Sequence, residues 1–417
     1  MRYFYADSLD TVDPTFDYVT EESSPTRIPQ RDDVYAHELY GPDRPYDGIL
    51  VSKFLLDGKT SQSRYSQPQR QRFFREGAQT FLRFPKSGEF DPDKYPILGD
   101  CGAFNYHLEE VPPFSVDEVI EFYDICGFTH GIAVDHMILA YDNRYDRGLM
   151  PTPNEFKRRA DLTLTLAEEF LAKAKSGKHR FQPIGVAQGW SPKSYQEAVK
   201  ALLDIGFDYI ALGGMVPLKT TEVTEVLAAV RDVTQAKVRL HLLGITRLEN
   251  YDTFVKSGVV SLDSTSPLRQ GVKEGIYYAD GGPYLTIRIP QTDVNPRVLK
   301  QIRSGAFSQE ELVAMERRCL NAVAACGRGE LGPDEVLREL MAYEACFEGK
   351  SKWSEVRRTL LDRPWEKCSC AVCATLGINV VVFRGANRNR RRGFHNLWYS
   401  HRQLSALRTE TTEGVDR

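Results

Sequence analysis

The 417-residue chain carries 54 Lys and Arg against 57 Asp and Glu, a formal net charge of -3, with 41% apolar and 27% charged residues. That balance suits an ordinary packed core and excludes a bulk electrostatic pull toward nucleic acid, so any such binding must use a local patch. No apolar run reaches bilayer length, and the start MRYFYADSLD has no basic segment followed by an apolar one, so a cytoplasmic protein with no membrane partner is expected.

Residues 1–45 are polar, rich in Asp and Pro and without clear periodicity; they predict an N-terminal extension packed on the domain that follows. A barrel body is expected over 46–275. YDGILVSKFLL and YPILGDCGAF each contain a buried-strand run. GFTHGIAVD (127–135) parallels GFDYIALGG (206–214), which puts Asp135 at the carboxyl end of a strand. FQPIGVAQG (181–189) reads as a strand. The helix after it has Pro192 in its first turn and Tyr195, Val199, Leu202 and Leu203 at helical spacing. FDYIALGG, a helix with Val223, Val226, Leu227 and Val230 on one face, KVRLHLLG (237–244) and VVSLD continue the series.

Alternating strands and helices of this length imply a parallel sheet, and seven or eight such units close a (β/α)8 TIM barrel. The alternative is an open doubly wound sheet, but no G-x-G-x-x-G follows the first strand. Residues 276–365 break the rhythm and predict a largely helical insertion. A zinc-binding segment with the last barrel unit follows over 366–408, with NVVVFRG (379–385) as the last strand and HNLWYSHRQLSAL (395–407) as the last helix. Residues 409–417 predict a disordered tail.

Sites of such barrels form at the carboxyl ends of the strands. The residues there are Asp100 with Cys101 and Gly102, then Asp135, Gln188 with Gly189, Gly213 with Gly214, Gly244 and Asp263. Glycines let backbone polar groups approach a flat ligand, and an amide both donates and accepts, as reading a heterocycle edge requires. Carboxyls in different environments can divide acid, base and nucleophile work. Any one of these acids alone is more simply a strand cap; the convergence of all of them favours a site.

Of eight cysteines, Cys101, Cys126, Cys319, Cys326 and Cys346 are scattered, as buried thiols are. Cys368, Cys370 and Cys373 form C-x-C-x2-C, with 21 residues between Cys373 and His395. Three thiolates and an imidazole make a closed tetrahedral shell, so one structural zinc per chain is expected, with His395 in the first turn of the last helix. Between strand and histidine, RGANRNRRRGFH (384–395) carries Arg384, Arg388, Arg390, Arg391 and Arg392. Charge runs are usually solvated loops. A loop on the rim that leads into a metal ligand would instead be rigid, and suited to phosphates.

Taken together, these motifs resemble the tRNA-guanine transglycosylases, zinc-containing barrels that exchange guanine for a 7-deazaguanine base. The likeness runs from about Gly99 to His395, apart from the insertion. GDCGAF resembles the family's Asp-Ser-Gly-Gly-Phe motif, GVAQG its Gly-Ile-Val-Gln-Gly strand, YIALGG and HLLG its base-pocket strands. LDSTSPLR is similar to its nucleophile segment, and CSCAVC with HNLW to its zinc signature and final helix. The resemblance implies Asp263 as nucleophile and Asp100 as general base. Asp135, Gln188, Gly214, Gly213 and Gly102 would bind the base edge, with Phe104 stacked on the base. An alternative alignment replaces Asp135 by Asp142. Arg269, six residues after Asp263, joins the arginine run as a nucleic-acid contact.

Cys101 stands where the tRNA enzymes have serine, the Cys373–His395 spacing is shorter than theirs, and the insertion at about 295–360 is foreign to them. The start YADSLDTVDPTFDYV resembles the family's DNA-acting 7-deazaguanine branch. The expected substrates are therefore DNA, single-stranded or locally opened, and a 7-deazaguanine base such as 7-cyano-7-deazaguanine. That branch also implies an ATPase partner that opens or translocates DNA. The other readings are the same exchange on tRNA and a non-catalytic nucleic-acid-binding barrel.

Overall fold

The computed structural model describes residues 1–57, 64–84, 94–177, 179–347 and 349–415. The chain divides into two units: residues 1–9, 46–265 and 404–417, and residues 10–45 and 266–403.

The first unit holds a closed barrel of eight parallel strands. In chain order they are Arg2–Ala6, Gly48–Ser52, Ile97–Asp100, His130–Ile132, Gln182–Ala187, Tyr209–Leu212, Arg239–Leu242 and Val259–Asp263. Phe4, Leu50, Leu98, Ile132, Ile184, Val186, Tyr209 and Ala211 pack together as one core cluster. Helices follow the strands as the spacing predicts. Pro192–Ile205 is opened by Ser191, whose side chain accepts from the Ser194 N–H, and stopped by Gly206 at φ 108°. Its Tyr195, Val199 and Leu202 are buried, each aliphatic side chain contributing roughly 1.5–3 kcal/mol. Among the described residues no helix is long and apolar enough to cross a membrane.

The eighth strand is not the one the sequence pattern suggests. Closure comes from the N-terminus: Phe4 pairs with Asp263 on one side and with Gly48 on the other. Residues 2–6 are thus barrel rather than extension. RYFYA is buried from both neighbours, with Tyr3, Phe4 and Tyr5 each 2% exposed. Its five residues sit in a polar stretch too short to reveal a period.

NVVVFRG, expected as the last barrel strand, lies in the second unit. Its first three residues belong to the 3-10 turn Gly377–Val381, and among the described residues Val382–Phe383 pair, in parallel, with Ile287–Arg288 rather than with a barrel strand. Three β-branched residues run together there, but they serve a separate helical unit. That unit contains the expected helices Gln309–Gly327 and Pro333–Ala345, with Pro296–Arg303 and Trp353–Asp362. The last helix spans Gly385–Val415, starting ten residues before the expected position and passing the expected end near 407. The predicted tail over 409–417 is therefore helical as far as Val415, and residues 416–417 lie outside the described residues.

Candidate active site

In a parallel barrel every strand delivers its carboxyl end to the same rim. Asp100 and Asp263 are the last residues of their strands. Gln188 directly follows the strand Gln182–Ala187, Gly213 follows Tyr209–Leu212, and Asp135 lies three residues past His130–Ile132.

Gln188 is held at both ends. Its Nε2 donates to Asp135 Oδ2 at 2.6 Å, and its Oε1 accepts from the Ile138 N–H at 3.1 Å. Both side chains are buried. Gly213 exists to admit this amide, because a Cβ there would lie 2.2 Å from Gln188 Nε2. Gly214 has φ +70°, and a Cβ would come within 2.6 Å of the Ile138 carbonyl. Tyr195 donates to the Gly213 carbonyl at 2.7 Å, and Tyr106 to the Asp135 carbonyl at 3.1 Å. The floor is thus fixed before any ligand arrives.

Asp100 accepts from the Gly102 N–H at 2.8 Å. Burial, then the negative charges of Asp135 and Asp263, raise its pKa to about 7, against the pull of the Gly102 N–H. Burial likewise raises Asp135 to about 7, opposed by the bond from Gln188. Two carboxyls near half-protonation at neutral pH can each give or take a proton. Cys101, in full burial, lies 3.7 Å from the Tyr123 hydroxyl, and burial holds its thiol protonated.

Asp263 is 7% exposed. Its Oδ1 accepts from the Gly244 N–H at 2.9 Å and lies 3.2 Å from His241 Nε2. His241 Nδ1 is 2.6 Å from Ser261 Oγ, which is 2.5 Å from the Tyr209 hydroxyl. Sequence reasoning passed over His241, Ser261 and Tyr209. The available signal was a histidine inside the apolar run of HLLG and a serine inside VVSLD, both polar groups that a strand would bury.

Phe104, expected to stack on a base, occupies the short turn Ala103–Asn105, 56% exposed, with its ring 5.7 Å from that of His107. Asp142, the alternative to Asp135, is taken up by Arg144, whose Nη2 lies 2.6 Å from Asp142 Oδ2; that bond holds the carboxyl down at about 2. Asp135, and not Asp142, is the acid that meets Gln188.

In the second unit the ligand atoms of Cys368, Cys370, Cys373 and His395 all lie within 4.8 Å of one another. His395 Nδ1 stands 3.7, 3.4 and 3.4 Å from the three sulfurs in that order. His395 Nε2 donates to the Tyr278 carbonyl at 2.7 Å, which leaves Nδ1 as the lone-pair nitrogen facing the thiols. The Tyr277 ring stacks on the imidazole at 4.1 Å, fixing its plane. These four donors could hold a metal ion. His395 sits in the third turn of its helix, not the first, because the helix begins at Gly385.

The same helix overturns the arginine patch. Residues 384–392 form no rim loop. Arg384 is ion-paired with Glu21 and Glu316, and Arg388 is bonded to Glu21 and the Tyr18 carbonyl. Arg391 donates to the Asp13 carbonyl, and half-buried Arg390 to the Thr11 carbonyl. Arg392 is wholly buried and donates to the carbonyls of Gly271, Val380 and Val382 and to Asn389 Oδ1. Arg388, Arg391 and Arg392 recur at three- and four-residue spacing on one buried helix face, and Arg384 just precedes the first helical residue, so together they tie residues 11–21 to the rest of the unit. Only Arg269 of the expected set is exposed, with Glu274 3.6 Å away. Arg392→Ala should strand three buried carbonyls and destabilise the fold by roughly 3–5 kcal/mol. Thermal melting checks this; an unchanged Tm would show the carbonyls to be satisfied without the guanidinium.

A family model described as queuine tRNA-ribosyltransferase matches residues 137–415. The chain is 42% identical to a DNA-guanine transglycosylase of Salmonella montevideo, over 98% of this chain and 99% of that protein. It is 27% identical to a queuine tRNA-ribosyltransferase of Pseudoalteromonas atlantica, over 35% of this chain and 39% of that protein.

Proposed function

Because the chain belongs to the queuine tRNA-ribosyltransferase family, we propose that it is the guanine transglycosylase of a DNA-modifying system, replacing guanine in DNA by a 7-deazaguanine base such as 7-cyano-7-deazaguanine. The observation that carries the choice of DNA is the full-length likeness to a relative named for DNA, whereas the tRNA-named relative aligns over about a third of the chain.

Asp263 supplies the nucleophile. One carboxylate oxygen attacks C1′ of a deoxyguanosine, the C1′–N9 bond breaks, and the electron pair leaves on guanine. Asp100, poised near pH 7, gives its proton to the departing base. The product is a covalent glycosyl–aspartate ester, the usual intermediate of carboxylate double displacement. The incoming 7-deazaguanine occupies the vacated pocket, and its N9-side nitrogen loses its proton to Asp100. That nitrogen then attacks C1′ from the face guanine left, restoring the carboxylate with net retention.

Asp135 and Gln188 would read the base edge, with Gly102, Gly213 and Gly214 allowing close approach and Phe104 closing over the ring. Arg269 would meet a phosphate. The target base must leave the stack, at a cost of a few kcal/mol in duplex, and an ATPase that opens DNA would relieve that cost.

For the metal centre we assign zinc. A tetrahedral ion with sulfurs at about 2.3 Å and nitrogen at about 2.0–2.1 Å spaces S and N roughly 3.6 Å apart, against 3.4–3.7 Å here. Cys368, Cys370, Cys373 and His395 would fill its shell and leave no open position, so it would act structurally, holding the His395 turn of the last helix against the Cys368–Cys373 turn.

The test is an exchange assay with labelled guanine and purified protein on single-stranded DNA, duplex DNA and tRNA. Label entering DNA and not tRNA supports the proposal. Label entering tRNA alone would place the chain with the tRNA enzymes, and label in neither would favour a binding role.

A further inference from the structure

Inside the barrel, buried beneath the rim, four side chains form one hydrogen-bonded line: Tyr209, Ser261, His241 and Asp263. Only one direction of donation satisfies every member. If Ser261 donated to Tyr209, the phenol hydrogen would have no acceptor, since Ser261 is its one hydrogen-bond partner among the described residues. Tyr209 therefore donates to Ser261, and Ser261 donates to His241 Nδ1. The imidazole hydrogen is then on Nε2, directed at Asp263 Oδ1. Phe4 sets its edge against the imidazole, with ring centroids 6.0 Å apart, and lies opposite Asp263 in the strand pairing. The ring can neither rotate nor change tautomer without breaking a buried bond.

Oδ1 of Asp263 accepts a second hydrogen, from the Gly244 N–H. Oδ2 accepts none from the described residues. The carboxylate is thus asymmetric, one oxygen saturated and the other with its lone pairs free. We infer that His241 is a positioning residue that, with the Gly244 N–H, pins Oδ1 of Asp263 so that Oδ2 is the attacking oxygen; this rests on Asp263 being the nucleophile. Two donors on one oxygen fix the plane of the carboxylate, and alignment of the attacking orbital is where a loosely held nucleophile loses most.

The experiment measures the rate of covalent complex formation with saturating single-stranded DNA, alongside KM for DNA, in four variants. Asp263→Asn tests the underlying reading; a covalent complex in that variant defeats the nucleophile assignment and leaves His241 out of the question. Given an inactive Asp263→Asn, His241→Phe should slow complex formation roughly 10–100-fold, the loss of one hydrogen bond to a charged group, with KM little changed. A glutamine amide nitrogen can occupy the place of Nε2, whereas asparagine reaches only the place of Nδ1. His241→Gln should therefore keep most of the rate, and His241→Asn should be as slow as His241→Phe. If the phenylalanine variant does not fold, the glutamine–asparagine pair decides alone. A folded His241→Phe as fast as the unmodified enzyme, or glutamine and asparagine variants equally slow, overturns the inference.

Discussion

Asp263→Asn should abolish both base exchange and covalent capture of DNA, a loss on the order of 10⁶-fold, because a neutral amide neither attacks C1′ nor stabilises an oxocarbenium ion. Asp100→Asn should behave differently. The nucleophile remains, so a trapped glycosyl–enzyme can form, while turnover falls by roughly 10²–10⁴-fold for want of the proton carrier. The pH profile separates the two. Asp100 and Asp135 are both pushed up to about 7, and the charges of Asp135 and Asp263 act on Asp100, so activity should bend near neutral pH with apparent values belonging to the group. Asp100→Asn should remove one limb of that bend.

The same shifts serve as a folding control. A carboxyl raised from about 3.9 in the unfolded chain to about 7 in the fold makes stability fall as pH rises through that window. Asp100→Asn should therefore melt no lower than the unmodified protein at pH 8. Denaturing gels with labelled DNA, and melting curves at pH 4 and pH 8, provide the readings. A covalent band in Asp263→Asn would transfer the role to another acid, with Asp135 next in line.

The second large effect is on stability. Metal analysis should find about one zinc per chain, and Cys370→Ala should lose it. Structural zinc can supply roughly 10 kcal/mol, comparable with the whole stability of an ordinary domain. Cys370 also caps the helix Ala371–Leu376 through the Cys373 N–H, so the turn that presents the ligands fails with it. A strong chelator should lower Tm of the unmodified protein to that of the variant. A folded, metal-free protein with unchanged Tm would show that the four donors hold themselves together without an ion.

Which of these features the sequence could disclose follows from their physics. The strands at 182–187, 209–212, 239–242 and 259–263 are short apolar runs between amphipathic helices, and their ends are chemically conspicuous. Gln188 and Asp263 stand at such ends, Asp100 and Asp135 at or just past the ends of two earlier strands, and it is their convergence, not any one of them, that marks a candidate site. The first strand could not, since Arg2–Ala6 is flanked by Asp7 and its burial comes wholly from strands 40 and more residues away. The arginine run misled for the opposite reason. Charge predicts solvation unless partners exist, and the partners Glu21 and Glu316 lie hundreds and tens of residues off. His241 stayed hidden because its meaning depends on Ser261 and Tyr209, which only the pairing of neighbouring strands brings to it.

Closure by the first strand has a consequence for how the protein comes into being. The Tyr3 hydroxyl donates to the Ser264 carbonyl, across 261 residues of sequence. On a ribosome adding about 5–20 residues per second, the N-terminal strand waits roughly 10–50 s for its partner. Until then it presents the unpaired edge of RYFYA, an aromatic strand of the kind that seeks other chains. Contacts this distant are also intrinsically slow to form. Asp263 lies on the last of the eight strands in chain order, so a nascent or truncated chain that ends before it lacks both the closing neighbour of the first strand and the residue proposed as nucleophile.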